Sequence, residues 1–360
     1  MTHIIAILGS TGQFGRVMAN HIFYNLKHTT FYLLMRNPVD FENNNKIAFV
    51  FDFNKNKSLP DFPEKPDLLV DLTGPVSEDS PKVFEMCLKA RIPYMDISMN
   101  VHHLKNCRKI FEKYKKGMGI VHAGFFPGLS TLMVSCLIRE MPKNSSFILA
   151  NDFPAYAGGG YKVAETMKDI LENNSSGYYF SNGIKIRHLL HEGPVKIQFQ
   201  GRDKIFYRWF LPETVCLEYS LNPANFSRLI SVRPVWINPI MKIFALFLHK
   251  LKNPQWVITL IKINIYFLKR FIFKKFKPSI VIEAMGINKN SSFKIVLKTS
   301  NAVSLHGEIM LGFIKAFLNL EKRKKLNGVY TPEQLFAIED ILSFGDYENY
   351  FLEKMKLTDK

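Results

Sequence analysis

Short apolar runs alternate with helical spacings through the first 140 residues. His3–Leu8 is an apolar run ending at a glycine, as expected of a strand covered on both faces. Thr11–Tyr24 follows with apolar positions at helical intervals. Thr30–Met35, Ile47–Phe53, Leu68–Leu72, Pro93–Ile97 and Gly119–Ala123 predict further strands. Val83, Phe84, Cys87 and Leu88 predict a helix over Ser80–Ala90, and a second is expected over Leu129–Glu140. The alternation implies parallel βαβ units, so the predicted fold class is α/β: a Rossmann-type doubly wound sheet over residues 1–140.

After Pro142 the rhythm changes. Phe147–Phe153, Ile184–Leu190 and Val195–Phe199 predict strands, with a helix over Tyr161–Leu171 and a turn-rich connector at Asn173–Gly177. Ile280–Met285 and Phe293–Lys298 predict a hairpin joined at Asn288–Ser292. Ala302–Leu320 predicts a long helix, and Gly328 with Pro332 marks a turn before a helix at Pro332–Leu342. A second α+β domain over 141–320 and C-terminal helices over 321–360 complete the expected organisation.

With 47% hydrophobic residues the chain has ample material for a core, which excludes a disordered or collagen-like polymer. The net charge of +17 leaves nucleic acid, an anionic membrane or composition bias open. Its distribution narrows the choice. Tyr219–Ile282 has no acidic residue and holds eleven of the cations, leaving 37 against 31 acids elsewhere. Four cysteines without a CxxC pair predict no zinc site and a reducing, cytoplasmic setting. MTHIIAILGSTG has neither a basic leader region nor a small-residue cleavage site, so no secretory signal is expected. The longest uncharged run, Gly117–Ile138, is broken by Gly117, Gly119, Gly124, Pro127 and Gly128, against a transmembrane helix.

Gly9, Gly12 and Gly15 form GxxGxxG between the first strand and the first helix. Glycine permits close approach of the backbone, and a helix start offers free N–H groups to a pyrophosphate. The turn Gly9, Ser10, Thr11, Gly12, Gln13, Phe14 and Gly15 is therefore the candidate dinucleotide cradle. The second strand ends Leu34-Met35-Arg36-Asn37, without the carboxylate that favours NAD. A guanidinium at Arg36 suits a 2′-phosphate, so NADP is expected over NAD, against an ordinary solvated arginine. Two more segments end strands at the same edge. Gly74 and Pro75 would run beside the nicotinamide ribose, and Asp96 and Ser98 would bind cofactor or substrate hydroxyls, against plain turn chemistry.

Four segments together resemble the saccharopine dehydrogenase-like oxidoreductase family: GSTGQFG, LVDLTGPVSEDSPKVFEMCLKARIPYMDIS, VHAGFFPGLSTLMV, and TSNAVSLHGEIMLGFIKAFLN with NGVYTPEQLF. FPAYAGGGYKVAETMKDIL and SNGIKI fit more loosely. The resemblance implies a pyridine-nucleotide oxidoreductase: a Rossmann domain, a second domain whose sheet covers the cofactor, and C-terminal helices returning toward the first domain. It also implies that Phe126, Pro127 and Gly128 frame the nicotinamide. The arginines that would grip saccharopine's carboxylates have no match here, so saccharopine is not the expected substrate.

Other chemistries find weaker support. The spacing Tyr350…Lys354 imitates a short-chain dehydrogenase pair but lies near the C-terminus. His188 and His191 fall on an expected strand without carboxylates, and adjacent His102 and His103 point to different faces, so no metal site is expected. Cys136 reads as a core cysteine, and His122 and Tyr156 as packing residues before proton donors or substrate contacts. The catalytic acid or base is unassigned.

Ile240, Ile243, Phe244, Phe247, Leu248 and Leu251 form one helical stripe, and Val257, Leu260, Ile261, Ile265, Leu268 and Ile272 a second. Apolar helices with lysines and no acid suit an anionic bilayer surface. Residues 236–277 are expected to rest on membrane or cover a lipid-like substrate, with a buried lid or homodimer interface as the alternative. Lysines interleaved with aliphatic bulk argue against nucleic acid. The expected protein is an NADP-dependent oxidoreductase acting on a C=O, C=N or activated C=C of a small or lipid-like molecule. The rival is a non-catalytic, membrane-peripheral NADP sensor or scaffold.

Overall fold

The computed structural model describes residues 3–37, 45–74, 80–154, 176–239, 242, 279–289, 291–320, 325–343 and 350–357. In chain order the elements are β1 (His3–Leu8), α1 (Gln13–Asn25), β2 (Thr29–Met35), β3 (Lys46–Val50), β4 (Leu68–Asp71), α2 (Ser80–Ala90), β5 (Tyr94–Asp96), α3 (His103–Tyr114), β6 (Met118–Ile120) and α4 (Leu129–Glu140). Then come β7 (Ser146–Pro154), β8 (Ser176–Ser181), β9 (Ile184–Leu189), β10 (Glu192–Phe199), β11 (Arg202–Arg208), α5 (Pro212–Ser220) and β12 (Asn225–Arg233). The chain closes with β13 (Ile280–Ile287), β14 (Ser292–Thr299), α6 (Ala302–Asn319), β15 (Gly328–Tyr330), α7 (Pro332–Leu335), α8 (Ile338–Leu342) and β16 (Tyr350–Leu357).

Two compact units result: Met1–Leu132 with Val303–Asp346, and Met133–Ala302 with Tyr347–Lys360. The first is an α/β Rossmann-like domain. Its sheet has the order β15-β6-β5-β4-β1-β2-β3, and every neighbouring pair is parallel. Ile5, Ala6, Ile7, Leu33, Leu68, Leu69 and Val70 are fully buried, which explains why these strands read as unbroken apolar runs. Successive strands leave β1 in opposite directions, so the switch point of the sheet lies at β1 and β4. The register aligns Leu8 with Leu34 and Asp71, and Asp71 with Asp96, so these strands end at one edge.

The second unit is a mixed sheet in the order β10-β11-β12-β7-β13-β14-β16, with β8 pairing β12 and β9. Among the described strands, β12 and β7 run parallel and the other pairs are antiparallel. One face holds the apolar cluster Ala150, Phe199, Phe206, Leu229 and Met285. On the other, buried Arg228 lies 3.3 Å from Glu213 of α5 and donates to the carbonyls of Leu149 and Leu229.

Several expectations change. α6, placed by sequence in the second domain, belongs to the first unit, where Ser304 bonds His21 of α1 at 3.2 Å. Of the C-terminal helices expected over 321–360, α7 and α8 form, whereas 350–357 is the strand β16, which pairs antiparallel with β14 and extends that edge of the second sheet. The single helix at 332–342 is two short ones, each started by a capping turn, at Thr331 and Ala337. Tyr350 and Lys354 lie on β16, not on a helix. Cys136 is half-buried, its thiol 3.4 Å from Glu140, because it falls at the edge of the buried face of α4. The expected helix over 161–171, Tyr156, and all but 236–239 and 242 of the basic segment lie outside the described residues. Among the described residues no helix is long and apolar enough to cross a membrane.

Candidate cofactor site at the carboxyl edge of the first sheet

The loop from β1 to α1 is closed by glycine packing. Gly9 has φ +87°, and a Cβ there would stand 2.7 Å from the backbone of Leu72 and Thr73. A Cβ on Gly15 would stand 2.0 Å from the Gly9 carbonyl oxygen. Neither position admits a side chain without moving main chain. Gly12 is looser: its Cβ would lie 3.4 Å from the Gly9 oxygen, and its N–H donates to that oxygen at 3.1 Å. Gly12 is the N-cap of α1, with no side-chain capping bond and no acid in the first turn. A helix start in that state offers its N–H groups and positive dipole end to an anion. Thr11 and Gly12 are exposed, while Ser10 is buried with its hydroxyl unpaired among the described residues. Gln13 and Phe14 open the helix, Phe14 edge-on to His306 with ring centroids 6.3 Å apart.

Exposed Arg36 immediately follows β2, beside the end of β1. Asp71 closes β4 and turns inward: Oδ1 accepts the Thr73 N–H and hydroxyl, at 2.9 and 2.6 Å, and Oδ2 accepts the Tyr94 hydroxyl at 3.0 Å. Burial raises its pKa, and the Thr73 bonds pull it back. Gly74 has φ +143° and open space where a Cβ would stand. Pro75 lies outside the described residues.

Asp96 and Ser98 are buried and bonded within the chain. Asp96 Oδ1 accepts the N–H groups of Ser98 and His122, at 2.8 and 3.1 Å, and Oδ2 meets His103 Nε2 at 2.5 Å. Both are 1% exposed, and the Ser98 hydroxyl accepts the Asn100 N–H. They are turn residues, because the carboxylate folds back on the loop that follows its own strand. Burial opposes the charge on Asp96, but the His103 imidazolium overrides it and holds the carboxyl below its usual range. His103 responds in the opposite sense: burial lowers its pKa and the Asp96 carboxylate raises it well above normal. His102, beside it, is exposed.

His122 is fully buried at φ +66° and donates from Nδ1 to the Ser98 carbonyl at 2.6 Å, leaving Nε2 without a partner among the described residues. Burial first, and the neighbouring His103 charge second, depress its pKa to about 4. A folded-state pKa below the unfolded value of about 6.5 means that unfolding takes up a proton between the two. Its contribution is therefore complete above pH 6.5 and lost as pH falls toward 4, by about 3 kcal/mol in all. His122→Asn keeps a residue tolerant of positive φ and should shrink that loss. Urea midpoints at pH 7 and pH 4.5 check it, and an equal drop in both proteins would count against the assignment.

The turn at 124–128 is knotted on its own backbone. Gly124 donates to the Pro127 carbonyl at 3.0 Å, and a Cβ on Gly128 would lie 2.1 Å from the Gly124 oxygen. Pro127 and Gly128 are buried, so of the three expected nicotinamide contacts only Phe126 presents surface. Phe125 and Phe126 both meet His306 of α6, at 5.0 and 6.1 Å between centroids. Sequence reasoning missed His306, His103 and Tyr94; the alternation of His103 and Leu104 with exposed neighbours was the available signal for the second.

No protein-family model matches the chain, and no curated protein matches it by sequence. Solved structures do. The chain is similar to apo saccharopine dehydrogenase (L-Glu forming) from Saccharomyces cerevisiae, at 11% identity and a TM-score of 0.59, covering 99% of this chain and 100% of the other. It is also similar to a C. glutamicum DAP dehydrogenase solved with DAP, at 10% identity and a TM-score of 0.49, covering 95% and 96%. The first likeness shows the fold.

Proposed function

We propose that the first unit binds a nicotinamide dinucleotide, NADP in preference to NAD, and that the protein is an oxidoreductase of the saccharopine dehydrogenase-like type. The observation that carries this reading is the Gly15–Gly9 contact, a cradle that a single Cβ would fill, set at the switch point below an uncapped helix start. The backbone of 9–12 and the first turn of α1 would hold the pyrophosphate, and Arg36 the 2′-phosphate. When bound, the nicotinamide supplies hydride transfer to or from a C=O, C=N or activated C=C. Phe126 would give it an apolar wall, and Asp71 and Asp96 hold the neighbouring loops.

Arg36→Ala should weaken NADPH about tenfold, the loss of roughly one charge-assisted contact, and leave NADH unchanged. Fluorescence titration with both reduced cofactors reads this. Equal wild-type affinities would remove the NADP preference.

One observation favours the sensor reading. Asp71, Asp96, His103 and His122, titratable groups at this edge between 71 and 122, are all buried, and each makes an internal bond, with only Nε2 of His122 unpaired among the described residues. Consumption of NADPH with carbonyl, imine or enoyl compounds from a lipid extract separates enzyme from sensor. Exposed Val235 and Trp236, at the entrance to the basic segment, support a lipid contact there. Flotation with anionic vesicles should carry the protein upward, and removal of 240–277 should abolish it.

A further inference from the structure

The opposite edge of the first sheet carries a cavity lined by cations. A cavity of about 540 Å³ opens where the chain enters β4, β5, β6 and β15, four strands adjacent in the sheet. Because the strands are parallel, this edge lies at the far end from the glycine loop. Each entering loop brings a cation to the cavity: Lys65 before β4, Arg91 before β5, Lys116 before β6 and Lys325 before β15. All four are exposed, and none has an ion-pair partner among the described residues. Asp67 is the one acid in the lining. Its carboxylate is already engaged, accepting the Ile4 N–H at 3.1 Å with His3 at 3.5 Å. Buried Phe317 adds an apolar wall.

Four like charges around one cavity repel one another, and a concave wall concentrates their field. An anion relieves both. We propose that this cavity binds the phosphate groups of a small, multiply charged phosphorylated molecule. Its volume falls within the range for small-ligand sites, roughly 300–1,000 Å³. An arginine fork can take a phosphate bidentately while lysines neutralise it as point charges. Arg91 is held at φ +55° after α2, where its N–H returns to the Leu88 carbonyl at 3.1 Å, so the base of its side chain is fixed by backbone. The phosphate could belong to a soluble metabolite or to a lipid headgroup.

The test is calorimetric titration with inorganic pyrophosphate on the full chain, with and without saturating NADPH. Wild type should bind pyrophosphate in both conditions. Lys116→Glu with Lys325→Glu should weaken it at least tenfold and leave NADPH titration and thermal midpoint unchanged. Arg91→Asn, which keeps a residue suited to positive φ, should weaken it severalfold. Displacement of pyrophosphate by NADPH would place it on the glycine loop and overturn the proposal. So would an unchanged affinity in the charge-reversed protein. Flotation with phosphatidic acid vesicles that is lost in that variant would assign the phosphate to a lipid. Pyrophosphate binding without flotation would assign it to a soluble molecule. Neither reading depends on whether NADPH binds, since the charge-reversed comparison stands without it.

Discussion

Gly15→Ala is expected to lower nicotinamide cofactor affinity at least a hundredfold. The added carbon would stand 2.0 Å from the Gly9 oxygen and 2.9 Å from its carbonyl carbon. Both obstacles are backbone, so no rotamer change relieves them, and the loop must open or α1 must withdraw. Gly9 cannot yield toward β4, since its own Cβ position is already 2.7 Å from Leu72 and Thr73. Either movement separates the helix start from the loop that, in the proposed function, would share the pyrophosphate with it. A hundredfold loss corresponds to about 2.8 kcal/mol. Forced overpacking should also lower folding stability by about 1–3 kcal/mol. Gly12→Ala is the informative control. Its carbon would meet the Gly9 oxygen at 3.4 Å, and Gly12 has φ −68°, which alanine adopts freely. That variant should keep the thermal midpoint, so any loss of NADPH affinity in it reports the ligand's approach alone. Binding by Gly15→Ala at wild-type strength, with an intact fold, would refute the cradle.

The parts of this fold that were legible in the sequence are those where burial and periodicity agree. β1, β2 and β4 are covered on both faces, so their apolar runs are unbroken. The hairpin β13–β14 is marked by a polar turn between two apolar runs. α3 was illegible because its buried stripe is only His103, Leu104 and Cys107, one turn that begins with a histidine, which does not read as apolar. β15 has three residues, too few for any period to show, yet it completes the first sheet. The charge pattern also misled at two positions. Arg228 and Arg233 belong to the acid-free segment, but their partners, Glu213 and Asp152, lie outside it in sequence. Part of that excess is therefore structural and unavailable to a membrane. At the candidate site the glycine spacing was legible because backbone packing demands glycine whatever the ligand. Asp96 was not, because a carboxylate at a strand end serves its own loop or a bound hydroxyl equally well, and sequence does not say which way it turns.

Asp96→Asn is expected to destabilise the first unit by about 3–5 kcal/mol, the range for breaking a buried ion pair from one side. Both partners are 1% exposed, so solvent cannot screen the His103 charge once the carboxylate is gone. The same change weakens the bonds to the N–H groups of Ser98 and His122, since a neutral amide oxygen accepts less strongly than a carboxylate. At roughly 2–4 °C per kcal/mol for a unit of this size, the thermal midpoint should fall by on the order of 10 °C. The pH dependence carries the second half of the test. Asp96 is depressed and His103 raised. The carboxylate's contribution is thus present above its unfolded pKa of about 3.9 and is lost as pH falls through the folded value. The imidazolium's is present below about 6.5 and is lost as pH rises through its own elevated folded value. The pair's joint contribution is therefore complete between about pH 3.9 and 6.5 and falls on either side, and Asp96→Asn should remove that dependence while leaving the separate His122 loss over the same range in both proteins. Adding His103→Gln to that variant removes the stranded cation and supplies an amide donor for the new carbonyl. The double variant should recover part of the loss, giving a coupling energy between the two positions. Additive losses, with no recovery, would mean that the residues act separately and that the carboxylate matters only to the loop bonds it accepts.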